Sequence, residues 1–66
     1  MIDINKLRGV IRERQKTQED VAKAIGMSPR TFGNKLKKGV FGSDEIDAMV
    51  DYLDIDEPAN IFFVRG

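Results

Sequence analysis

Ten of the eleven basic side chains in this 66-residue sequence lie in residues 6–40, a stretch that holds only three acidic ones. The ten are Lys6, Arg8, Arg12, Arg14, Lys16, Lys23, Arg30, Lys35, Lys37 and Lys38. Residues 41–66 reverse the balance with seven acids and one arginine, so the formal net charge of zero conceals a basic part and an acidic part. Such a concentration of positive charge favours binding of a polyanion. The alternative is that these charges only solvate the surfaces of small helices.

Catalytic and metal chemistry have little support in the composition. The sequence has no cysteine and no histidine, which excludes a disulfide framework, a zinc-finger ligand set and thiol or imidazole catalysis. Asp54, Asp56 and Glu57 resemble the start of a calcium loop, but the glycine and later glutamate of such a loop are missing. The other acids of this region are expected to form the solvated face of a helix: Asp44, Glu45, Asp47 and Asp51. We expect no enzymatic activity, metal, cofactor or small-molecule substrate.

The length of the chain predicts a single domain over residues 1–66, close to the smallest size at which a core is stable without staples. Charges interrupt residues 1–16 every few positions, so no signal peptide is predicted. No apolar run approaches the roughly 20 residues that span a membrane. We therefore expect a soluble, cytoplasmic protein with no membrane contact.

Hydrophobic spacing predicts a first and a fourth helix. Residues 3–15 are predicted to form an amphipathic helix whose apolar face is Ile4, Leu7, Val10 and Ile11. Ser43 or Asp44 is predicted to open the fourth helix. Its apolar face is Ile46, Met49, Val50 and Leu53.

Capping residues predict two short helices between them. Thr17 can cap the second helix, with Asp20 as the capping-box acid, and Gly26 ends it. Ser28 then caps a third helix, residues 28–38, in which Pro29 takes the first position. Phe32 and Leu36 form the buried face of this helix, and Gly39 ends it.

The last residues allow two interpretations. Pro58 could begin a short helix after an Asp56 cap, or residues 60–65 could form an extended strand. We favour the short helix. The sequence thus predicts an all-α fold, a compact bundle of four or five short helices.

The connection between the second and third helices is very short. Only Gly26 and Met27 separate them before the Ser28 cap, which forces a sharp angle and predicts a helix-turn-helix arrangement. The small Ala22 lies where the two helices must cross.

Several residues of this unit match a known pattern at fixed spacing: Gln18, Val21, Ala22, Ile25, Gly26, Met27 and Phe32. They lie in "IRERQKTQEDVAKAIGMSPRTFGNKL", which resembles the lambda repressor-like DNA-binding domains of the Cro/CI type, also called XRE-type helix-turn-helix proteins. A looser resemblance covers residues 3–53. One departure is Lys35, which stands where the family usually has a buried aliphatic residue, while Leu36 follows one place later.

The resemblance implies that the third helix lies in the major groove, where each base pair presents a distinct set of donors, acceptors and methyl groups. The expected base-contacting residues are Ser28, Pro29, Arg30, Thr31, Gly33, Asn34 and Lys37. Arg30 is suited to guanine and Asn34 to adenine, whereas Pro29 or the Thr31 methyl suits a thymine methyl. The presence of Ser28 and Pro29 is also explained by their role at the start of the helix, whereas Arg30 and Asn34 have no such structural role.

Phosphate contacts are expected from a second set of residues: Lys16, Gln18, Lys35 and Lys38. Lys37, already named as a base contact, is suited to a phosphate as well. In the family, the Gln18 position typically anchors to a phosphate at the start of the second helix.

The apolar end of the chain is large for its size, so part of it is expected to be core and part a contact with a partner subunit. The residues are Ile61, Phe62, Phe63 and Val64. The resulting hypothesis is a sequence-specific DNA-binding transcriptional regulator, most like a phage or bacterial Cro/CI-type repressor, that binds a double-stranded operator as a homodimer. The alternative is a helical protein-interaction module that retains the fold without binding DNA.

Overall fold

A computed structural model describes residues 2–63, and this part of the chain forms five α-helices without a β-strand. The helices are α1 (Ile4–Glu13), α2 (Gln18–Ala24), α3 (Pro29–Lys38), α4 (Ser43–Leu53) and α5 (Ala59–Phe62). The predicted all-α bundle is confirmed. None of the helices within residues 2–63 has the length and apolar character needed to cross a bilayer.

The predicted starts of α2 and α3 are confirmed by their capping hydrogen bonds. Thr17 Oγ1 accepts from the Asp20 N–H at 3.0 Å, and the Asp20 carboxylate accepts from the Thr17 N–H at 2.9 Å. Ser28 Oγ accepts from the Thr31 N–H at 3.1 Å, and Pro29 follows at the first helical position. These contacts satisfy N–H groups that have no partner inside the helix.

The first four helices end in the same way, each followed by one residue with a positive φ. These residues are Gln15 (58°), Gly26 (79°), Gly39 (71°) and Asp54 (50°). The two glycines are the helix ends that the sequence predicts. The first helix, predicted to end near residue 15, ends at Glu13, because Gln15 takes the left-handed conformation. The Lys16 N–H then bonds to the Ile11 carbonyl at 3.0 Å, which closes a Schellman motif without a glycine.

A single cluster of buried apolar side chains joins all five helices. Its helical members are Leu7, Ile11, Val21, Ala22, Phe32, Leu36, Ile46, Met49, Leu53, Ile61 and Phe62. The rings of Phe32 and Phe41 lie 5.5 Å apart, centroid to centroid, beneath the loop between α3 and α4. The predicted apolar faces therefore pack together, and burial of their surface is the main force that holds the short helices in place.

The C-terminal part is helical, as favoured from the sequence, but it starts differently. Pro58 rather than Asp56 is the N-cap of α5, and no side chain caps this helix. Ile61 and Phe62 are 6% and 2% exposed, so they form the core part of the apolar end and not an exposed contact surface. Phe63 is 63% exposed, whereas Val64 lies outside the described residues.

Candidate nucleic-acid interface

Helix α3 packs against α2 through buried apolar side chains. Val21 and Ala22 of α2 and Phe32 of α3 are 0% exposed, and Leu36 is 1% exposed. Because Phe32 and Leu36 are four residues apart, they share one side of the helix and fix its rotation. Lys35, which stands where the family usually has a buried aliphatic residue, lies half-buried at the edge of the core. Leu36, one place later, is buried in its stead.

The opposite side of α3 carries most of the predicted base-contacting residues. Arg30, Asn34 and Lys37 are exposed, and within residues 2–63 their side chains have no hydrogen-bond or ion-pair partner. Pro29 is exposed as well, and Gly33 is half-buried. Apart from its two neighbours and the local backbone of α3, no atom of residues 2–63 lies within 4 Å of the place a Gly33 Cβ would occupy. This surface, defined by Pro29, Arg30, Gly33, Asn34 and Lys37, is the α3 outer face.

Ser28 and Thr31 border this face, and their side chains already bond to each other. The Ser28 hydroxyl donates to Thr31 Oγ1 at 2.9 Å while it accepts from the Thr31 N–H. Both residues are exposed, but these bonds fix the orientation of their hydroxyls. Any contact they make with a ligand must use the remaining lone pairs, the Thr31 proton or the Thr31 methyl group.

The four predicted phosphate contacts fall into two groups. Gln18 and Lys38 are exposed, and so is Lys16, whose ammonium lies 5.5 Å from the centre of the Tyr52 ring in a cation–π contact. Lys35 differs, because its Nζ lies 2.7 and 3.0 Å from the two carboxylate oxygens of Glu45. The structure thus gives Lys35 a contact between α3 and α4, a role that the sequence does not predict.

Two carboxylates have pKa values below their ordinary range. The hydrogen bond from Lys35 is the main cause at Glu45, and the Gly42 N–H, which donates to the same carboxylate at 2.7 Å, adds to it. At Asp20 the pKa is lowered chiefly by the Thr17 N–H, and then by the Thr17 side chain. Both carboxylates are therefore ionised at neutral pH and stabilise helix starts, at α4 and α2 respectively.

The comparison with protein families gives a match over nearly the whole chain. The model of the family described as "Protein of unknown function (DUF739)" matches residues 1–64. The chain belongs to the DUF739 family. No curated protein matches it, and no solved structure does.

Arg14 has a role in this DUF739 chain that sequence reasoning missed. Its Nε donates to the Leu53 carbonyl at 2.8 Å, and its Nη2 donates to the Asp54 carbonyl at 3.0 Å. A cation at this position also interacts favourably with the negative end of the α4 dipole. The partners lie about 40 positions apart, so no local pattern could indicate the contact. Both arginines are exposed, but within residues 2–63 only Arg14 has hydrogen-bond partners, whereas Arg12 has none.

The charges of the DUF739 chain are separated between elements. The last turn of α3 contains Lys35, Lys37 and Lys38, whereas α4 has acids in its first turn and no base in its last. Asp44, Asp47 and Asp51 of α4 are exposed. Within residues 2–63, no three His, Cys, Asp or Glu side chains lie close enough together to hold a metal ion.

Proposed function

We propose that this DUF739 member is a sequence-specific DNA-binding transcriptional regulator that inserts α3 into the major groove. The observation that carries the proposal is the α3 outer face. Arg30 and Asn34 are exposed there without a partner in residues 2–63, while Phe32 and Leu36 anchor the other side of the helix. Surface asparagine within a helix gains little from the fold, so its presence favours a role in recognition.

The side chains of the α3 outer face suit the edges of base pairs. Arg30 can donate two parallel hydrogen bonds to O6 and N7 of guanine, and Asn34 can bond to N6 and N7 of adenine. Lys37 and Lys38, one turn further along, are suited to phosphate oxygens, as are Lys16 and Gln18 at the start of α2. Base contacts would provide specificity, and phosphate contacts would position the helix.

The biological role we propose is repression by occupation of an operator, as in the Cro/CI-type proteins that the sequence resembles. A helix of ten residues reads few base pairs, which gives little specificity against a genome of competing sites. Two copies with their α3 helices about 34 Å apart would reach successive major grooves on one side of the duplex. We therefore propose a homodimer on DNA.

Alanine variants test the base-reading part of the proposal. We expect Arg30→Ala and Asn34→Ala to weaken binding to a selected operator by roughly 1–3 kcal/mol each and to change binding to random duplex little. Lys38→Ala, the matched control on the same helix, should weaken binding to both duplexes alike and lower the salt dependence. Equal losses on both duplexes for all three variants would contradict base reading.

A protein-interaction module is the second candidate, and exposed apolar side chains favour it. Phe63 and Val40 are 63% and 65% exposed, and the formal net charge is zero. Gel shifts with a pool of random duplexes at two salt concentrations discriminate between the two functions. A DNA-binding regulator enriches particular sequences and loses affinity steeply with salt, whereas an interaction module does neither.

A further inference from the structure

An open groove runs between the end of α1 and the start of α2. Its lining is made of three cations, two amides and one aliphatic side chain: Arg8, Ile11, Arg12, Gln15, Lys16 and Gln18. In the described part of the chain, no acidic side chain lines it. We call it the α1–α2 groove.

The cations of the α1–α2 groove are spaced so that they repel one another. Arg8 and Arg12 are four residues apart on one face of α1, and Lys16 follows at the same interval just after the helix. Like charges at this spacing destabilise a helix. Within residues 2–63 neither arginine forms an ion pair. Arg12 lies in the last turn of α1, where the helix dipole favours a cation, but Arg8 has no such advantage.

Other cations of the chain, in contrast, have partners within the fold. Arg14 caps the end of α4, and Lys35 pairs with Glu45. A second groove along α1 contains Lys6 together with the acids Glu13, Asp56 and Glu57, so its charges are mixed. The α1–α2 groove is therefore a local excess of positive charge in a concave site, where a bound anion would relieve the repulsion.

We propose that the α1–α2 groove binds a phosphate group through Arg8 and Arg12, with Lys16 and the amides of Gln15 and Gln18 as further donors. The planar guanidinium group matches the geometry of a phosphate and can donate two parallel hydrogen bonds to two of its oxygens. The groove is open along the surface, so a phosphate within a polymer can enter it. In the DNA complex this ligand is a phosphate of the DNA backbone, and this assignment rests on the proposed function. It adds α1 to the elements that contact the duplex.

Inorganic pyrophosphate tests the groove without DNA. In low salt we expect it to shift the NMR signals of the Arg8 and Arg12 Nε–H groups and of the Gln15 and Gln18 side-chain amides. The double variant Arg8→Gln with Arg12→Gln should abolish the amide shifts, and Lys6→Gln, a cation of the second groove, should leave them unchanged. Circular dichroism establishes that each variant is folded. Equal shifts in the double variant and the wild type would overturn the proposal.

The salt dependence of duplex binding tests whether the phosphate in the α1–α2 groove comes from the DNA backbone. The double variant should lower the slope of log affinity against log salt concentration by about one for each arginine, on operator and random duplex alike. Lys6→Gln should leave the slope unchanged. An unchanged slope in the double variant would overturn the backbone assignment. A wild type that binds pyrophosphate through the two arginines but binds no duplex would overturn the proposed function and support a free phosphate ligand.

Discussion

Arg12 and Arg14 lie two positions apart, yet their surroundings give them different tasks. Arg14 reaches across to α4 and donates to two carbonyls at its C-terminal end. Arg12 is exposed and lines the α1–α2 groove. A count of basic residues treats the two alike, but a guanidinium that already donates hydrogen bonds within the fold is less available to an anionic ligand than one that does not.

Removal of the Arg14 side chain should therefore destabilise the protein. We expect Arg14→Ala to lower the free energy of unfolding by about 1.5–3 kcal/mol, because α4 loses two charge-assisted hydrogen bonds at its end. Arg12→Ala is the matched control and should change it by less than about 0.5 kcal/mol. Urea denaturation measures both. Similar effects of the two substitutions would contradict the capping role of Arg14.

The two glycines at positions 33 and 39 should respond to alanine in opposite directions. Gly33 is inside α3 and a Cβ there meets nothing within 4 Å, so Gly33→Ala should stabilise the protein by about 0.5–1 kcal/mol. Gly39 has a φ of 71°, and Gly39→Ala should destabilise it by about 1–2 kcal/mol. Thermal denaturation shows the sign of each change. A loss of stability in Gly33→Ala would indicate that its surroundings are less open than described.

At the scale of the elements, different forces hold α3 to α2 and to α4. Apolar packing through Ala22, Phe32 and Leu36 holds it against α2. On the α4 side, Lys35 and Glu45 form an ion pair whose side chains are 38% and 23% exposed. Partial burial makes this pair less screened by solvent than one on the open surface, so it is expected to stabilise the contact between α3 and α4.

The ion pair predicts how stability depends on pH. The pKa of Glu45 is lowered from its ordinary value of 4.5, mainly by Lys35 and then by the Gly42 N–H. Its contribution to stability is therefore present above the unfolded-state pKa and lost as pH falls through the folded-state pKa. Glu45→Gln should destabilise the protein most at pH 7, and the difference from wild type should shrink by pH 3.

Urea denaturation at pH 7 and pH 3 measures this difference. Asp47→Asn, at an exposed position of the same helix, serves as the control and should alter the free energy of unfolding by less than about 0.5 kcal/mol at pH 7. A destabilisation by Glu45→Gln that is the same at both pH values would contradict the assigned role of the ion pair.

Local signals predict much of the fold, and the exceptions have physical reasons. Thr17, Ser28 and Gly39 act within their own helix or turn, so neighbouring residues reveal their roles. Gln15 and Asp54 end helices in the left-handed conformation without being glycine, and a sequence pattern built on glycine misses them. Contacts such as that of Arg14 with Leu53 depend on the packed arrangement of helices, which spacing along the chain does not contain.

In the candidate site too, local sequence predicts some features and the packing of helices decides the others. The exposure of Arg30 and Asn34 follows from the burial of Phe32 and Leu36 on the opposite side of α3, which helical periodicity predicts. The pairing of Lys35 with Glu45 depends on where α4 lies, so the sequence alone assigned Lys35 to a phosphate. The sequence likewise leaves open which residues of the apolar end enter the core. The burial of Ile61 and Phe62 depends on how α5 docks beside α1, where the Asp3 N–H donates to the Ile61 carbonyl at 2.7 Å.

At the scale of the whole molecule, a neutral protein presents surfaces of different charge. The α3 outer face and the α1–α2 groove carry cations, while the exposed acids Asp47 and Asp51 lie on α4. If the two basic surfaces bind one duplex, the acidic face of α4 should point away from the DNA. This arrangement would orient the approach to a polyanion even though the net charge is zero.

Selection from a pool of random DNA duplexes tests the central claim most directly, because it requires no knowledge of the operator. We predict enrichment of a site with two symmetric half-sites about one helical turn apart, since a dimer would present α3 twice at about 34 Å. Selection with Arg30→Ala should relax the preference at a guanine in each half-site, and Lys38→Ala should select the same site more weakly. No enriched sequence, or the same sequence selected with equal strength by Arg30→Ala, would contradict the claim that α3 reads DNA.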